Sequence, residues 1–220
     1  MLQDPVQINQ TVAHILQICS GLFWTLTYLL ILRRGFLDQS YCMPMLALCV
    51  NLAWEFIFAF VYPHPQPQLY INYLWLIFDL GILYQYLRLG RRDFPASLPQ
   101  TLFYPTFGFS LLLSALFIVQ MSREFNDFIG IYAAFAQNLL MSVLFLRLLL
   151  QRNNSRGQSL YIALGKMIGT AFPSILFYLY FPHSGLLFLL FCSIFIFDLA
   201  YFLLLYFKLQ QENIRPWSRR

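Results

Sequence analysis

Charged side chains are scarce in this chain. Only 10% of its 220 residues are Asp, Glu, Lys or Arg, while 60% are hydrophobic, and mean hydropathy is +0.63. That balance excludes an ordinary soluble domain. Four cysteines, Cys19, Cys42, Cys49 and Cys192, show no paired spacing. They fit neither a disulfide framework nor a metal site, and read as small hydrophobes. The three histidines, His14, His64 and His183, form no HExxH motif and lie near the outer ends of apolar runs, as interfacial residues do. There is also no GxSxG elbow, no P-loop, no neighbouring aspartate pair for a divalent metal, no inverted repeat and no low-complexity tail. A cleavable signal peptide is not expected, because a polar start of about a dozen residues precedes a full-length apolar run. The net charge of +5 is scattered between apolar segments, which argues against a nucleic-acid patch.

What the chain does have is apolar length. Seven segments are long enough for a bilayer crossing of about 20 residues, at 13–32, 43–62, 69–88, 102–121, 127–149, 160–181 and 184–207. Short connections separate them, marked by Pro63, Pro65 and Pro67, by Pro95 and Pro99, and by Pro182-His183-Ser184-Gly185. Residues 1–220 therefore read as one all-α membrane domain, a seven-transmembrane-helix bundle. Thirteen of the fourteen Lys and Arg residues fall on one side, among them Arg33, Arg88, Arg152, Lys208 and Arg220, leaving Arg123 opposite. The positive-inside rule then puts the N-terminus outside and the C-terminus in the cytoplasm. On the sixth segment, Gly165 and Gly169 have the spacing that lets a neighbouring helix approach closely. Pro173 frees the Gly169 carbonyl and should bend that helix.

Inside these apolar runs stand three carboxylic acids: Glu55, Asp79 and Asp198. A carboxylate in hydrocarbon costs roughly 2.5–3.5 kcal/mol even on the mildest insertion scale. Measured from the cytoplasmic end of each segment at ~1.5 Å per residue, Glu55 lies about 18 Å deep and Asp79 and Asp198 about 14 Å. Asn51, Asn138 and Gln137 come out near the same level. One structural hydrogen bond would explain any single acid, but a belt of acids and amides predicts a shared interior cavity. Asn51 and Glu55 share a helix face with Trp54 beside them, Trp75 stands four residues before Asp79, and Tyr201 three after Asp198. Lys166, about 9 Å from the cytoplasmic end of its segment, either snorkels to the surface or pairs with a carboxylate such as Asp198 and keeps it ionised.

A carboxylic acid held in an apolar pocket keeps its proton at neutral pH and can serve as a general acid. Aromatic faces stabilise cations by roughly 0.5–2 kcal/mol per contact, and exclusion of water protects a carbocation from quenching. Acid, aromatic wall and dryness suit a proton-initiated polyene cyclisation. The absent aspartate pair leaves Mg2+-assisted ionisation of a prenyl diphosphate without support, and no deep lysine on the seventh segment offers a retinal site.

Several strings also resemble those of the small integral-membrane, paxilline-type terpene cyclases of fungal meroterpenoid and indole-diterpenoid biosynthesis, which have bacterial relatives. They are Asn51-Leu52-Ala53-Trp54-Glu55-Phe56, Gln137-Asn138 followed by Ser142, Gly165-Lys166, and Phe197-Asp198-Leu199-Ala200-Tyr201. The resemblance implies that Glu55 and Asp198 match the family's two essential acids. It implies protonation of a terminal epoxide or alkene on a lipophilic prenylated substrate, followed by ring closure that ends in proton loss or internal capture. Asp79, Asn51, Asn138, Gln137 and Lys166 would support or orient the acids, and Trp54, Trp75 and Tyr201 would stabilise cations. Such an isomerase or lyase needs no cofactor and no metal, nucleic acid or obligatory protein partner. Its setting would be multi-pass in the lipid of a bacterial plasma membrane or the endoplasmic reticulum. The rival reading from the residues is a small proton-coupled membrane transporter, which intramembrane acids suit equally. The missing inverted repeat counts against it. A receptor is disfavoured by the minimal loops and tails.

Overall fold

In the computed structural model, which describes residues 5–219, the chain is helical and has no strand among those residues. Arg220, counted above with the basic residues, lies outside them. Seven α-helices follow one another: α1 (Gln10–Asp38), α2 (Met45–Phe56), α3 (Gln68–Leu89), α4 (Phe103–Glu124), α5 (Ile131–Arg152), α6 (Leu160–Tyr180) and α7 (Gly185–Gln211). Five of these, α1, α4, α5, α6 and α7, are both long enough and apolar enough to cross a membrane. The other two depart for different reasons. The helix α2 continues as a π turn over Ile57–Val61 and reaches 17 residues in all. The helix α3 has 22 residues, but Gln68, Asn72, Asp79 and Gln85 dilute its hydropathy.

Helix ends differ from the expected limits where local chemistry intervenes. The first helix begins at Gln10, because the Asn9 side chain accepts the Thr11 N–H at 2.9 Å and caps it. It continues past the expected residue 32 to Asp38, where Gln39 turns left-handed with φ 47°. The fifth was expected from residue 127 and begins at Ile131. Gly130 precedes it at φ 71°, and a Cβ there would meet the Phe58 ring at 2.1 Å.

The helix α1 packs against α6 and α3, α2 against α3, α4 and α5, and α7 against α5 and α6. Its outward faces are apolar: Ile18, Leu22, Phe117, Leu189 and Ile196 are all more than half exposed. The interior holds the polar side chains Asn51, Glu55, Asn72, Asp79, Gln85, Lys166 and Asp198. Apolar outside and polar within is the arrangement a lipid solvent imposes.

The most extensive helix contact lies between α1 and α6. A Cβ at Gly165 would come within 2.5 Å of Thr27 Oγ1, a hydroxyl already held at 2.8 Å by the Phe23 carbonyl. One turn on, Pro173 lacks the N–H that would satisfy Gly169, and Ser20 Oγ donates to that carbonyl at 2.9 Å instead. Close packing of α1 onto the glycine face and rescue of the freed carbonyl therefore arise at one contact. The opposite end of the bundle is tied by charge. Asp38 accepts from Arg34, from Arg219 and, at 2.7 Å, from the Gly157 N–H. Arg152 pairs with Asp93 at 2.7 Å and lies 4.1 Å over the Tyr41 ring.

Gly165→Ala should cost about 1–3 kcal/mol by overpacking. Thr27→Ala in the same chain should recover most of it, since the next atoms are 3.7 and 3.9 Å away. Thermal unfolding in detergent measures both, and equal stability of all three proteins would refute this account of the helix contact.

Candidate active site

Five helices, α1, α2, α3, α5 and α6, enclose a cavity of about 260 Å³ in the half of the bundle where α1 begins. Its middle is walled by Gly21, Trp24, Trp54, Trp75, Phe135 and Leu176. Its floor, toward the charged end, carries Tyr28, Asn51, Glu55, Asn138 and Met141, and its rim Gln17, His64 and Gln68. The helix α7 contributes nothing to the lining.

Glu55 reaches this space from α2 and is 2% exposed. Its Oε2 is buried with no hydrogen-bond partner, and no basic side chain forms an ion pair with it among the described residues. Asn51, one turn earlier, divides its amide between two acceptors, Asp79 Oδ2 at 2.7 Å and the Tyr28 hydroxyl oxygen. Asp79 lies behind that amide, outside the cavity lining, and its second oxygen is buried without a partner. Trp54 Nε1 donates to the Gly130 carbonyl at 3.2 Å and Trp75 Nε1 to Thr25 Oγ1 at 3.1 Å, which fixes both indoles against the cavity. Asn138 donates to Thr170 Oγ1 at 3.2 Å, leaving its own oxygen unpaired, as is that of Gln137.

Lys166 does not snorkel. Its ammonium donates to Asp198 Oδ1 at 2.7 Å, to Asp198 Oδ2 at 3.0 Å and to Ser142 Oγ at 2.6 Å, with both charged side chains 2% exposed. Ser142 in turn donates to the Asn138 backbone carbonyl at 2.9 Å. The ion pair thus meets the cavity through Ser142 and Asn138.

The single cavity expected for the whole polar belt is not what forms. Glu55, Asn51, Trp54, Trp75, Gln137 and Asn138 line it, while Asp79, Lys166, Asp198 and Tyr201 do not. Asn51 binds Asp79 from the cavity side, and Lys166 holds Asp198. Tyr201, on α7, is turned edge-on to Phe145 with a ring separation of 5.7 Å. Two contributors escaped the sequence reading. Tyr28 was hidden by the early end assigned to the first segment; counted from Asp38 it lies ~15 Å deep, level with the acids. His64, read as interfacial, is instead a buried strut: Asn72 donates to its Nδ1 at 2.8 Å, so Nε2 carries the hydrogen and donates to the Ile129 carbonyl at 2.8 Å. Burial holds its imidazole below the ordinary range, against the pull of that carbonyl.

Comparison with known proteins gives this geometry a context. Residues 2–212 match the family of Pyr4-like transmembrane terpene cyclases. The chain belongs to that family. It is 31% identical to the Pyr4-family terpene cyclase mfmH of Annulohypoxylon moriforme over 180 residues, covering 78% of this chain and 74% of that one. Identity is 28% to the terpene cyclase dpchB of Colletotrichum higginsianum, over 72% of this chain and 67% of the other. It is again 28% to the terpene cyclase andB of Emericella variicolor, over 73% and 69%. No solved structure matches the chain. Membership of a transmembrane cyclase family makes this a multi-pass membrane terpene cyclase acting on a lipophilic terpenoid substrate.

In this cyclase the Lys166–Asp198 pair should behave as one unit. Lys166→Met leaves an unpaired buried carboxylate and should destabilise by about 3–5 kcal/mol, whereas Lys166→Met with Asp198→Leu should recover most of that. Unfolding of the purified variants checks it, and a single variant as stable as the parent would show that the pair carries no charge.

Proposed function

We propose that the protein is a proton-initiated cyclase in which Glu55 protonates the terminal epoxide or alkene of a lipophilic prenylated substrate and starts a carbocation cascade. The observation that carries this reading is the Glu55 carboxyl itself, buried in an aromatic-walled cavity with no cation and no donor among the described residues to hold a negative charge. Such a group keeps its proton until something more basic is brought to it. Trp54, Trp75 and Tyr28 face the same space, and each ring stabilises a passing cation by about 0.5–2 kcal/mol. The apolar wall delays capture by water. Ring closure ends when the last cation loses a proton or is caught by a nucleophile within the substrate. The reaction is an isomerisation, and Glu55 needs no metal or redox group to begin it. Products of this kind belong to terpenoid and meroterpenoid biosynthesis.

Asp198 enters this scheme through Lys166. Held in that ion pair and outside the cavity lining, it has the task of holding Lys166 against Ser142 and so fixing the Asn138 turn at the cavity floor. Asp79 acts through Asn51 in a similar way, orienting the amide that holds the Tyr28 oxygen. The same proposal takes residues 1–220 as one domain with seven crossings, α2 with its π turn and the less apolar α3 completing the five helices named above. The basic ends of α1, α3, α5 and α7 would face the cytoplasm, with the N-terminus on the other side.

The test supplies prenylated and epoxidised polyenes to membranes containing the full chain and looks for a product of equal mass and altered retention. Glu55→Gln should lower that product at least about 10²–10⁴-fold, the usual worth of a general acid, at unchanged expression. Asp198→Asn should lose the product as well, by misplacing the floor. A fully active Glu55→Gln protein would remove Glu55 as the proton donor.

A further inference from the structure

The cavity has a second polar end that the protonation chemistry leaves unused. Gln17 on α1 and Gln68 at the start of α3 meet at the rim, where Gln17 Nε2 donates to Gln68 Oε1 at 3.0 Å. Gln68 Nε2 passes one hydrogen on to Asn72 Oδ1 at 2.8 Å. Asn72 is fully used, since its amide donates to the Phe58 carbonyl at 3.1 Å and to His64 Nδ1 at 2.8 Å. His64 is used at both nitrogens as well. These two residues are struts. The glutamines are not: each keeps one N–H, and Gln17 keeps its carbonyl oxygen, and both side chains line the cavity. Amides half-used inside the chain and half-open to a pocket are hydrogen-bonding equipment for a ligand.

Size and distance decide which part of a ligand goes there. At about 260 Å³ the cavity falls just below the usual range for small-molecule pockets, roughly 300–1,000 Å³. It encloses a folded prenyl chain better than a whole prenylated aromatic compound. Gln17 and Tyr28 lie on one helix at opposite ends of the cavity, ~16 Å apart by helical rise. Between them the lining is chiefly apolar, Gly21, Trp24 and Trp75 among it; the Ser20 hydroxyl there is spent on the Gly169 carbonyl, and the remaining amides, Gln137 and Asn138, belong to the floor end.

Resting on the cyclase reading above, we propose that Gln17 and Gln68 form a head-group subsite. The substrate enters prenyl end first, its terminal epoxide or alkene reaches the floor at Glu55, and its oxygenated head, a phenol, enol or ring carbonyl, bonds to the two amides at the rim. The subsite sets specificity and register. By anchoring the head it determines which isoprene unit stands at the acid, and hence where ring closure begins.

A photolabelling experiment tests the direction without relying on turnover. Full-length Glu55→Gln protein in membranes is irradiated with a farnesylated phenol carrying a diazirine either on the phenol ring or on the last isoprene unit. The ring probe should label the rim, residues 14–20, 62–70 and 127–131, and the chain-end probe should label the floor around Tyr28, Asn51 and Met141. Excess unlabelled farnesylated phenol should suppress both. Reversed labelling, identical labelling by the two probes, or labelling confined to the lipid-facing surface overturns the proposal. Kinetics on the otherwise unaltered enzyme provide the second arm. Gln17→Leu and Gln68→Leu should each raise KM for an epoxyfarnesyl phenol about tenfold with kcat nearly unchanged, while KM for an epoxyfarnesyl hydrocarbon stays as it was. An equal rise for both substrates means that the glutamines only hold the helices together, and the subsite is then rejected. Conversion of either epoxide by the parent chain, lost in Glu55→Gln, upholds the cyclase reading whatever the rim does. Conversion of neither rejects that reading, while the labelling still decides the direction of entry.

Discussion

The buried Lys166–Asp198 pair is the interaction on which the rest of the interior is arranged. Two opposite charges at 2.7 Å in a lipid-facing bundle hold three helices in register, because Ser142 of α5 accepts the third ammonium hydrogen. Bringing one charge there alone would cost several kcal/mol, and the pair is tolerable only because each polar atom finds a partner. That satisfaction has a chemical consequence for the other acids. Lys166 is the buried cation of the polar belt, and Asp198 takes it. Glu55 is left with neither cation nor donor, and Asp79 with one shared amide. Three carboxyl groups that look alike in the sequence thus differ in what surrounds them, and their chemistry differs accordingly.

Much of this was legible in advance because membrane constraints are strong and local. Apolar length located the helices, five of which are long and apolar enough to cross a membrane, since a run of some 20 apolar residues has few other fates. The Gly165/Gly169 face and the carbonyl freed by Pro173 were likewise visible, as both follow from one helix's own geometry. What faces a glycine depends on its neighbour, so Ser20 and Thr27 could not be named beforehand. The depth of the polar groups was readable from helical rise, but their rotation about the helix axes was not. Depth put Asp198 level with Glu55; rotation and the packing of α7 against α5 and α6 keep it out of the cavity. Tyr28 was missed through a boundary: a helix C-terminal end set at residue 32 instead of 38 moved it six residues off the belt. His64 and Asn72 were missed because a strut between loops is a property of the assembled fold.

The same division of the interior argues for one route to the acid. Toward the charged end, the space between the helices is filled by Met43, Leu48, Ile82, Tyr86, Phe103, Phe145 and Leu205, all buried. Beyond them the Asp38 and Arg152 networks close the bundle, and the C-terminal segment is drawn over α6 by the Tyr161 hydroxyl donating to the Trp217 carbonyl at 3.0 Å. A polyene has no passage through close-packed side chains backed by ion pairs. The other half is where Gly21, Ala134 and Pro173 line the room left between aromatic walls. Under the proposed mechanism, closed packing on one side of Glu55 and open volume on the other would bring a substrate to the carboxyl from the rim, with its reacting end leading. The asymmetry that stabilises the bundle therefore also orients its chemistry. A seal of charge at one end lets the other stay hollow, and the unpaired acid stands at the boundary between them.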